Sequence, residues 1–195
     1  IPITYNQKVA SIIKFFQNEG RTSFQKWLNR MSRYKAIILP ILEEEGVPPE
    51  LFYLAMIESG LNPKAYSYAH ASGVWQFISS TGKNYGLKKN WWVDERRDFE
   101  KATHAAARLL KDLHQEFDDW YLAFAAYNCG PGRVRKTIKR QGTKDYWKLT
   151  RLPPQTRNYV PNIMAAIFIA NNPGKYGFSL VKKSKMEWKI MEIDK

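Results

Sequence analysis

Residues 98–128, DFEKATHAAARLLKDLHQEFDDWYLAFAAYN, decide the fold. In the first two thirds of this stretch, apolar residues recur at intervals of three and four, the spacing of one face of an α-helix. The recurring positions are Phe99, Ala102, Ala106, Leu109, Leu113 and Phe117. Asp98 stands just before this pattern and is predicted to cap the first helical turn. Residues 119–128 are apolar on almost every side, which predicts a second helix buried in the core.

Helical patterns also lie on both sides of this stretch. Further helices are predicted over residues 6–20, 22–46, 50–59, 80–85 and 155–171. The first is expected to be capped by Asn6, the second to be kinked at Pro40, and the third to end at Gly60. The sequence contains no internal repeat and no low-complexity segment, so it predicts one all-α, mainly helical domain.

The predicted domain covers residues 1–177, with residues 1–46 as its N-terminal helical part. Beyond Gly174 the pattern changes, and residues 187–194 alternate with a period of about two, as in a lone strand. Because one strand cannot form a sheet alone, residues 178–195 are interpreted as a short extended C-terminal tail or linker.

The composition is that of a globular protein with an anionic partner. Of the 195 residues, 44% are hydrophobic and 14% aromatic, which is enough to bury a core. The net charge of +13 favours a nucleic acid, an anionic membrane or an anionic cell wall as the partner. No run of about 18 apolar residues occurs, so no membrane span is predicted. A single cysteine, Cys129, excludes an intrachain disulfide, and a first residue other than Met indicates a processed or trimmed chain.

Glu58 is the residue that the sequence places best for acid–base chemistry. It lies in YLAMIESG (residues 53–60), at the C-terminal turn of an otherwise apolar helix. Burial and the negative end of the helix dipole both disfavour a carboxylate, and so both raise the pKa. A carboxyl group that is protonated near neutral pH is what a general acid requires. The alternative is a helix-terminal Glu in water with an ordinary pKa.

A second cluster, SGVWQFI (residues 72–78), combines aromatic and amide side chains. Gly73 permits close approach of the backbone, Trp75 and Phe77 offer flat apolar faces, and Gln76 offers a donor and an acceptor. Sugar rings bind to this mixture of hydrogen bonds and aromatic walls. A loop pinned by aromatic anchors, with Trp75 in the core, explains the same residues.

A third cluster, AYNCGPG (residues 126–132), places Tyr127 and Asn128 at the end of an otherwise apolar helix. Polar side chains at that position fit a binding site, although Asn before Gly is also a common helix stop.

Other chemistries find little support in the sequence. One cysteine and three scattered histidines form no zinc pattern, so no metal site is predicted. No glycine-rich phosphate loop and no nucleophile elbow occurs. The basic residues of 133–140 are interpreted as the solvated face of a helix, with a nucleic-acid contact as the less favoured alternative.

Taken in order, the three clusters resemble the family 1 lytic transglycosylases, which are relatives of goose-type lysozyme. The family pattern is Glu-Ser, then Gly-Leu-Met-Gln, then Ala-Tyr-Asn, then a late helix that bears a Tyr. The corresponding stretches here are residues 58–59 (ES), 73–76 (GVWQ), 126–128 (AYN) and 156–159 (TRNY). The likeness covers nearly the whole chain and is strongest to a membrane-bound branch of the family.

This resemblance implies a lysozyme-like fold and an enzyme acting on peptidoglycan. The enzyme would cleave the β-1,4 bond between N-acetylmuramic acid and N-acetylglucosamine and leave 1,6-anhydromuramoyl ends. Glu58 would serve as the single acid and then base, without a cofactor. Substrate binding is implied for Ser59, Gly73, Trp75, Gln76, Tyr127, Asn128 and Tyr159.

The resemblance also implies the setting in which the enzyme acts. Its partner would be peptidoglycan glycan strands and not nucleic acid, and it would act as a monomer in the periplasm or at the outer membrane. Membrane association would come through an N-terminal anchor, and residues 178–195 would lead to wall-binding repeats. Two alternatives stay open: a hydrolytic muramidase of the goose type and a non-catalytic peptidoglycan-binding protein.

Overall fold

Eight α-helices make up most of the computed structural model, which describes residues 1–180. They are α1 (Gln7–Gln17), α2 (Arg21–Glu44), α3 (Leu51–Ser59), α4 (Ser79–Asn84), α5 (Phe99–Phe117), α6 (Trp120–Cys129), α7 (Pro131–Gln141) and α8 (Pro154–Asn171). Short 3₁₀ turns lie at Glu95–Arg97, Tyr146–Lys148 and Pro173–Tyr176. Within these 180 residues the extended pairings are isolated bridges only, such as the one between Tyr66 and Ser72. The predicted all-α class is therefore confirmed.

Side-chain caps fix where three of the helices begin. Asn6, Asp98 and Asp119 precede α1, α5 and α6, and each accepts a hydrogen bond from the backbone N–H three residues further along, at 3.0, 3.0 and 2.9 Å. Such a bond satisfies one of the N–H groups that a helix leaves unpaired at its start. The caps predicted at Asn6 and Asp98 are thus confirmed.

The buried face of α5 differs by one position from the predicted one. Ala102, Ala106, Leu113 and Phe117 are buried as expected, but Leu110 is fully buried where Leu109 was predicted. Leu109 is only partly buried and packs at the edge of the core. The reason is that α5 packs against both α2 and α6, so its buried face is wider than a single stripe.

The centre of the molecule is formed by α6 and α8. Helix α8 packs against α1, α3 and α6, and it continues through Pro161 as one helix. Residues 121–126 of α6 and 51–56 of α3 are all buried. This packing brings the C-terminal turns of α3 and α6 to the first two turns of α8.

The segment of residues 61–97 forms a lobe that carries little helix and is held together by Arg96. The guanidinium of Arg96 is buried and pairs with Asp94, with Nε–Oδ1 and Nη2–Oδ2 distances of 2.8 and 2.6 Å. It also donates to the backbone carbonyl oxygens of His70 and Phe77, at 2.8 and 2.9 Å. A buried charge is stable only when it is paired in this way, so Arg96 fixes three parts of the lobe at once.

The strand-like pattern at residues 187–194 lies outside the described residues, as does most of the predicted tail. None of the helices within residues 1–180 combines the length and the hydropathy of a membrane-spanning segment.

Candidate active site

Glu58 lies in the last turn of α3, on a helix whose first six residues are buried. Gly60 ends this helix in the left-handed conformation, with φ at 59°, and donates its N–H to the carbonyl oxygen of Met56. The Glu58 side chain is partly exposed, while its carboxylate oxygen Oε1 accepts a hydrogen bond from the hydroxyl of Tyr159. The sequence therefore predicted the helical position of Glu58 correctly, and the structure adds the partner on α8.

Burial raises the pKa of Glu58 to about 7, and the hydrogen bond from Tyr159 opposes this rise. A carboxylate in a poorly hydrated site is disfavoured relative to the neutral acid, and a donor to the carboxylate recovers part of the difference. No other carboxylate among the described residues contributes to the shift. Glu58 is thus a single carboxyl group that is about half protonated near neutral pH.

Two phenols, of the buried Tyr159 and the partly buried Tyr127, stand beside this carboxyl group. The pKa values of Tyr159 and Tyr127 are raised well above their usual range, first by burial and then by the negative charge of Glu58. Both phenols therefore stay protonated at neutral pH and act as hydrogen-bond donors. Tyr159 donates to Glu58, and Tyr127 donates to the backbone carbonyl oxygen of Trp75 at 2.6 Å.

Ser59, the neighbour of Glu58, and Tyr127 together fix the loop of residues 72–77. The Ser59 hydroxyl donates to the carbonyl oxygen of Val74 at 2.8 Å and accepts from the backbone N–H of Asn62 at 3.2 Å. Because Tyr127 binds the next carbonyl group, that of Trp75, two adjacent peptide groups are held from α3 and from α6. Ser59 therefore acts first as an anchor of this loop.

Gln76 sits in the same loop with a backbone conformation that is uncommon for a residue with a side chain. Its φ is 51°, and its side-chain Nε2 donates to the carbonyl oxygens of Gly73 and Ala65 at 2.8 and 3.3 Å. These bonds stabilise the left-handed backbone at Gln76. The side chain is partly exposed, which leaves its carbonyl oxygen as an acceptor for a ligand.

Trp75 and Phe77 are not walls of an open groove, which corrects the expectation that they contact a sugar. The Trp75 ring is fully buried, and its indole N–H donates to the Thr103 hydroxyl on α5 at 2.9 Å. Phe77 is 2% exposed. Both rings belong to the core beneath the loop, because that is where the lobe packs onto α5 and α6.

Gly73 is needed for a close approach, but the approach is to the chain itself and not to a ligand. Its φ is 82°, and a Cβ at this position would lie 1.8 Å from the carbonyl oxygen of Arg96. Gly73 therefore has a structural role, and its substrate-binding role stays a prediction.

Asn128 connects two elements of the site. Its side-chain oxygen accepts a hydrogen bond from the Thr156 hydroxyl at 2.8 Å, which joins the end of α6 to the start of α8. This contact sets the first turn of α8, and hence the position of Tyr159 in the next turn.

Arg96 and Asp94 are the residues that sequence reasoning did not find. Arg96 donates to the carbonyl oxygens of His70, just before the 72–77 loop, and of Phe77 at its end, and Asp94 holds the Arg96 guanidinium in place. The sequence offers no signal for this role, because Arg97 stands next to Arg96 and is exposed. No cluster of His, Cys, Asp or Glu suited to a metal ion occurs within residues 1–180.

Several known proteins resemble this chain in sequence. The family model described as the transglycosylase SLT domain matches residues 36–150. Membrane-bound lytic murein transglycosylase D of Escherichia coli K12 is 42% identical over 156 residues, which are 77% of this chain and 34% of that protein. The soluble lytic murein transglycosylase of the same strain is 31% identical over 120 residues, covering 57% of this chain and 19% of that one. The chain thus spans about a third of the length of the membrane-bound relatives that it matches.

Solved structures support the fold. The lytic transglycosylase Slt of Pseudomonas aeruginosa matches with a TM-score of 0.61 at 24% identity, over 76% of this chain and 25% of that one. The 70 kDa soluble lytic transglycosylase of Escherichia coli matches with a TM-score of 0.63 at 21% identity, over 87% and 31% of the two chains.

Proposed function

Because the chain belongs to the transglycosylase SLT domain family, we propose that it is a lytic transglycosylase that cleaves the glycan strands of peptidoglycan. The observation that carries the proposal is the position of Glu58. Its carboxyl group has a pKa of about 7 and is held by Tyr159, and its neighbour Ser59 helps Tyr127 to fix the loop of residues 72–77. A group with this pKa can both give and take a proton at neutral pH.

In the first step the protonated Glu58 gives its proton to the glycosidic oxygen between N-acetylmuramic acid and N-acetylglucosamine. The bond from that oxygen to C1 of the muramic residue breaks, and the carbonyl oxygen of the muramic N-acetyl group bonds to C1 as an oxazolinium. The Glu58 carboxylate that is left balances this positive charge. Tyr159 holds the carboxylate in place, since its hydroxyl donates to Oε1.

In the second step the Glu58 carboxylate takes the proton from the C6 hydroxyl of the same muramic residue. The C6 oxygen bonds to C1 and displaces the N-acetyl oxygen, which gives a 1,6-anhydromuramoyl end and returns Glu58 to its acid form. No water is consumed. Ordinary glycosidases use two carboxyl groups, whereas one suffices here because the substrate supplies its own nucleophiles.

The remaining residues of the site would position the reactants. Gln76 and Asn128 are partly exposed amides beside the loop and the end of α6, where they would bind sugar hydroxyl or acetamido groups. Ser59 and Tyr127 would keep the loop in place under the sugar. Gly73 and Trp75 would contribute indirectly, by letting that loop pack on the lobe and the core.

From the same activity we also propose where the protein acts and how its chain is divided. Peptidoglycan lies in the cell envelope, so we infer action in the periplasm or at the outer membrane. Residues 1–177 would form the catalytic domain, acting as a monomer, and residues 178–195 would be a linker.

A hydrolase would share the first step and differ only in the second, where water would replace the C6 hydroxyl. Digestion of purified peptidoglycan followed by mass spectrometry distinguishes the two. We expect muramic ends one water lighter than reducing ends. Reducing ends would make the protein a hydrolytic muramidase, and the absence of fragments would leave a binding protein.

Replacing Tyr159 with Phe is expected to shift the pH dependence of cleavage. Wild-type kcat/KM should fall as the pH rises through about 7, because the acid form of Glu58 is lost. The Tyr159 hydroxyl stabilises the carboxylate, so its removal should raise the Glu58 pKa and move this fall to higher pH. The measurement is kcat/KM against pH for both proteins.

Tyr85→Phe is the matched control for this experiment. It also removes a hydroxyl that donates to a carboxylate, that of Asp112, at a distance of 2.7 Å on the surface. Its pH profile should be that of the wild type. A Tyr159→Phe profile that superimposes on the wild-type profile would show that Tyr159 does not influence the reacting acid.

A further inference from the structure

One segment of the chain carries most of its excess positive charge. The segment of residues 131–157, which we name the basic strip, contains nine Lys and Arg residues and a single acid, Asp145. It therefore carries eight of the thirteen net positive charges of the chain. The proposed reaction uses none of these cations, so their concentration needs a separate explanation.

Helix α7 directs the cations of the basic strip towards solvent. Val134 and Thr137 are buried against the body of the molecule. The exposed side chains of this helix include Arg133, Arg135, Lys136, Lys139 and Arg140. Like charges three or four residues apart on a helix repel one another, and an anion bound there would reduce this repulsion.

The carboxylates of the protein neutralise little of the basic strip. Arg135 pairs with Glu116, and Lys148 pairs with Asp145 at 3.3 Å. For the other seven cations no ion pair is formed within the described part of the chain. Most of the positive charge of the strip is therefore not neutralised by the described part of the protein.

Arg157 is a second and independent observation at the inner end of the strip. It lies in the first turn of α8, two residues before Tyr159 and next to Thr156. Its Nε is buried, and among residues 1–180 it has no hydrogen-bond partner. A buried donor without a partner is costly, so the protein leaves part of the hydrogen-bonding capacity of this guanidinium unused. An anion that reached the guanidinium would form charge-assisted hydrogen bonds with it.

The basic strip begins at the edge of the candidate active site. Helix α7 starts at Pro131, directly after the turn of α6 that carries Tyr127 and Asn128. Within the strip, the Tyr146 hydroxyl donates to the carbonyl oxygen of Thr156 at 2.8 Å, which ties the segment after α7 back to the start of α8. A polymer bound at Glu58 would therefore meet the strip next.

We propose that the basic strip binds the carboxylates of the peptide stems of peptidoglycan. This inference rests on the proposed function, because the stems branch from the muramic residues that Glu58 would act on. Stems repeat along a glycan strand and end in carboxylates, so a group of cations next to the site matches a row of anions. Nucleic acid would match the positive charge as well. It would not explain, however, why the strip begins next to the turn that carries Tyr127 and Asn128.

The test compares two triple variants with equal loss of charge. Lys136→Gln, Lys139→Gln and Arg140→Gln remove three of the nine cations of the strip, whereas Lys14→Gln, Lys26→Gln and Lys83→Gln remove exposed lysines of α1, α2 and α4. Both triples carry Glu58→Gln to prevent turnover, and each is bound to insoluble peptidoglycan and to glycan strands stripped of peptides by an amidase. Thermal unfolding checks that both triples are folded.

We expect the strip triple to bind peptide-bearing material about tenfold more weakly than the parent at low salt, because three exposed charge contacts are lost. Its affinity for stripped strands should equal that of the parent, and the control triple should match the parent on both. Equal binding by the two triples would overturn the proposal, and so would an equal loss on stripped strands. Double-stranded DNA that displaces the parent from peptidoglycan at physiological salt would instead make the strip a nucleic-acid surface.

This binding assay needs no catalysis. If the strip does not bind the peptide stems, the strip triple will bind peptidoglycan as the parent does. If the proposed function is wrong, the end groups in the wild-type digest will show it. The two outcomes are independent.

Discussion

Replacing Glu58 with Gln is expected to lower the rate of peptidoglycan cleavage by at least about 10³-fold, because one side chain supplies both proton transfers. The amide of Gln cannot give a proton to the glycosidic oxygen and cannot take one from the C6 hydroxyl. It still accepts the hydrogen bond from Tyr159, so the site should keep its shape. The measurement is the rate of release of soluble fragments at pH 6 to 7.

The same substitution is expected to stabilise the protein at alkaline pH. The pKa of Glu58 is about 7 in the folded chain and 4.5 in the reference state, so the folded protein favours the neutral acid. Below pH 4.5 both states are protonated and the carboxyl group costs nothing. Between pH 4.5 and about 7 the unfolded chain loses this proton while the folded chain keeps it, so stability falls, and above pH 7 the loss is complete. At pH 8 the Gln variant should therefore be more stable by on the order of 2–3 kcal/mol.

Glu44→Gln is the control for both effects. Glu44 is an exposed carboxyl group at the end of α2. Its replacement should leave the rate of peptidoglycan cleavage as in the wild type. The pH dependence of the free energy of unfolding should also be unchanged. An active Glu58→Gln variant, or one that is destabilised at pH 8, would contradict the account of this residue.

Gly73→Ala is expected to lower the free energy of unfolding by about 3 kcal/mol or more, through strain and a steric clash. The added Cβ would lie 1.8 Å from the carbonyl oxygen of Arg96, and the backbone φ of 82° is unfavourable for Ala. Arg96 cannot move away easily, because its guanidinium is buried and held by Asp94 and by the carbonyl group of Phe77. Activity should fall with stability, since the loop beside Glu58 starts at this glycine.

Gly86→Ala separates the clash from the backbone strain. Gly86 has a φ of 87°, and a Cβ there would meet no atom within 4 Å. Its replacement should cost only the strain, about 1 kcal/mol. The two free energies of unfolding are measured by urea titration, and equal losses would show that the contact with Arg96 does not matter.

The helices were predictable because their signals are local. The three- and four-residue spacing of α5, the caps at Asn6 and Asp98, and the glycine after Glu58 each depend on a few neighbouring residues. The side chains that α5 buries were less predictable. Leu110 replaces Leu109 in the core because the helix has two neighbours, and no single spacing describes such a face.

The candidate site was predictable in its centre and less so in its supports. The helix-terminal position of Glu58 within an apolar segment already favoured a raised pKa, and the structure gives the same direction from burial. The sequence could not separate a sugar-facing Trp75 from a buried one, because its partner, Thr103, lies 28 positions away. The role of Arg96 could not be predicted for a similar reason, because its partners His70 and Phe77 come close to it only after the lobe has folded.

The central claim is that one carboxyl group, protonated near neutral pH by its surroundings, performs the chemistry. The most direct test is a carbon-13 NMR titration of the Glu side-chain carboxyl groups, in which the resonance of Glu58 is assigned by its absence from the Glu58→Gln spectrum. The account predicts a midpoint at about pH 7. A midpoint near 4.5, the ordinary value for Glu, would contradict it, because Glu58 would then be a carboxylate at neutral pH with no proton to give.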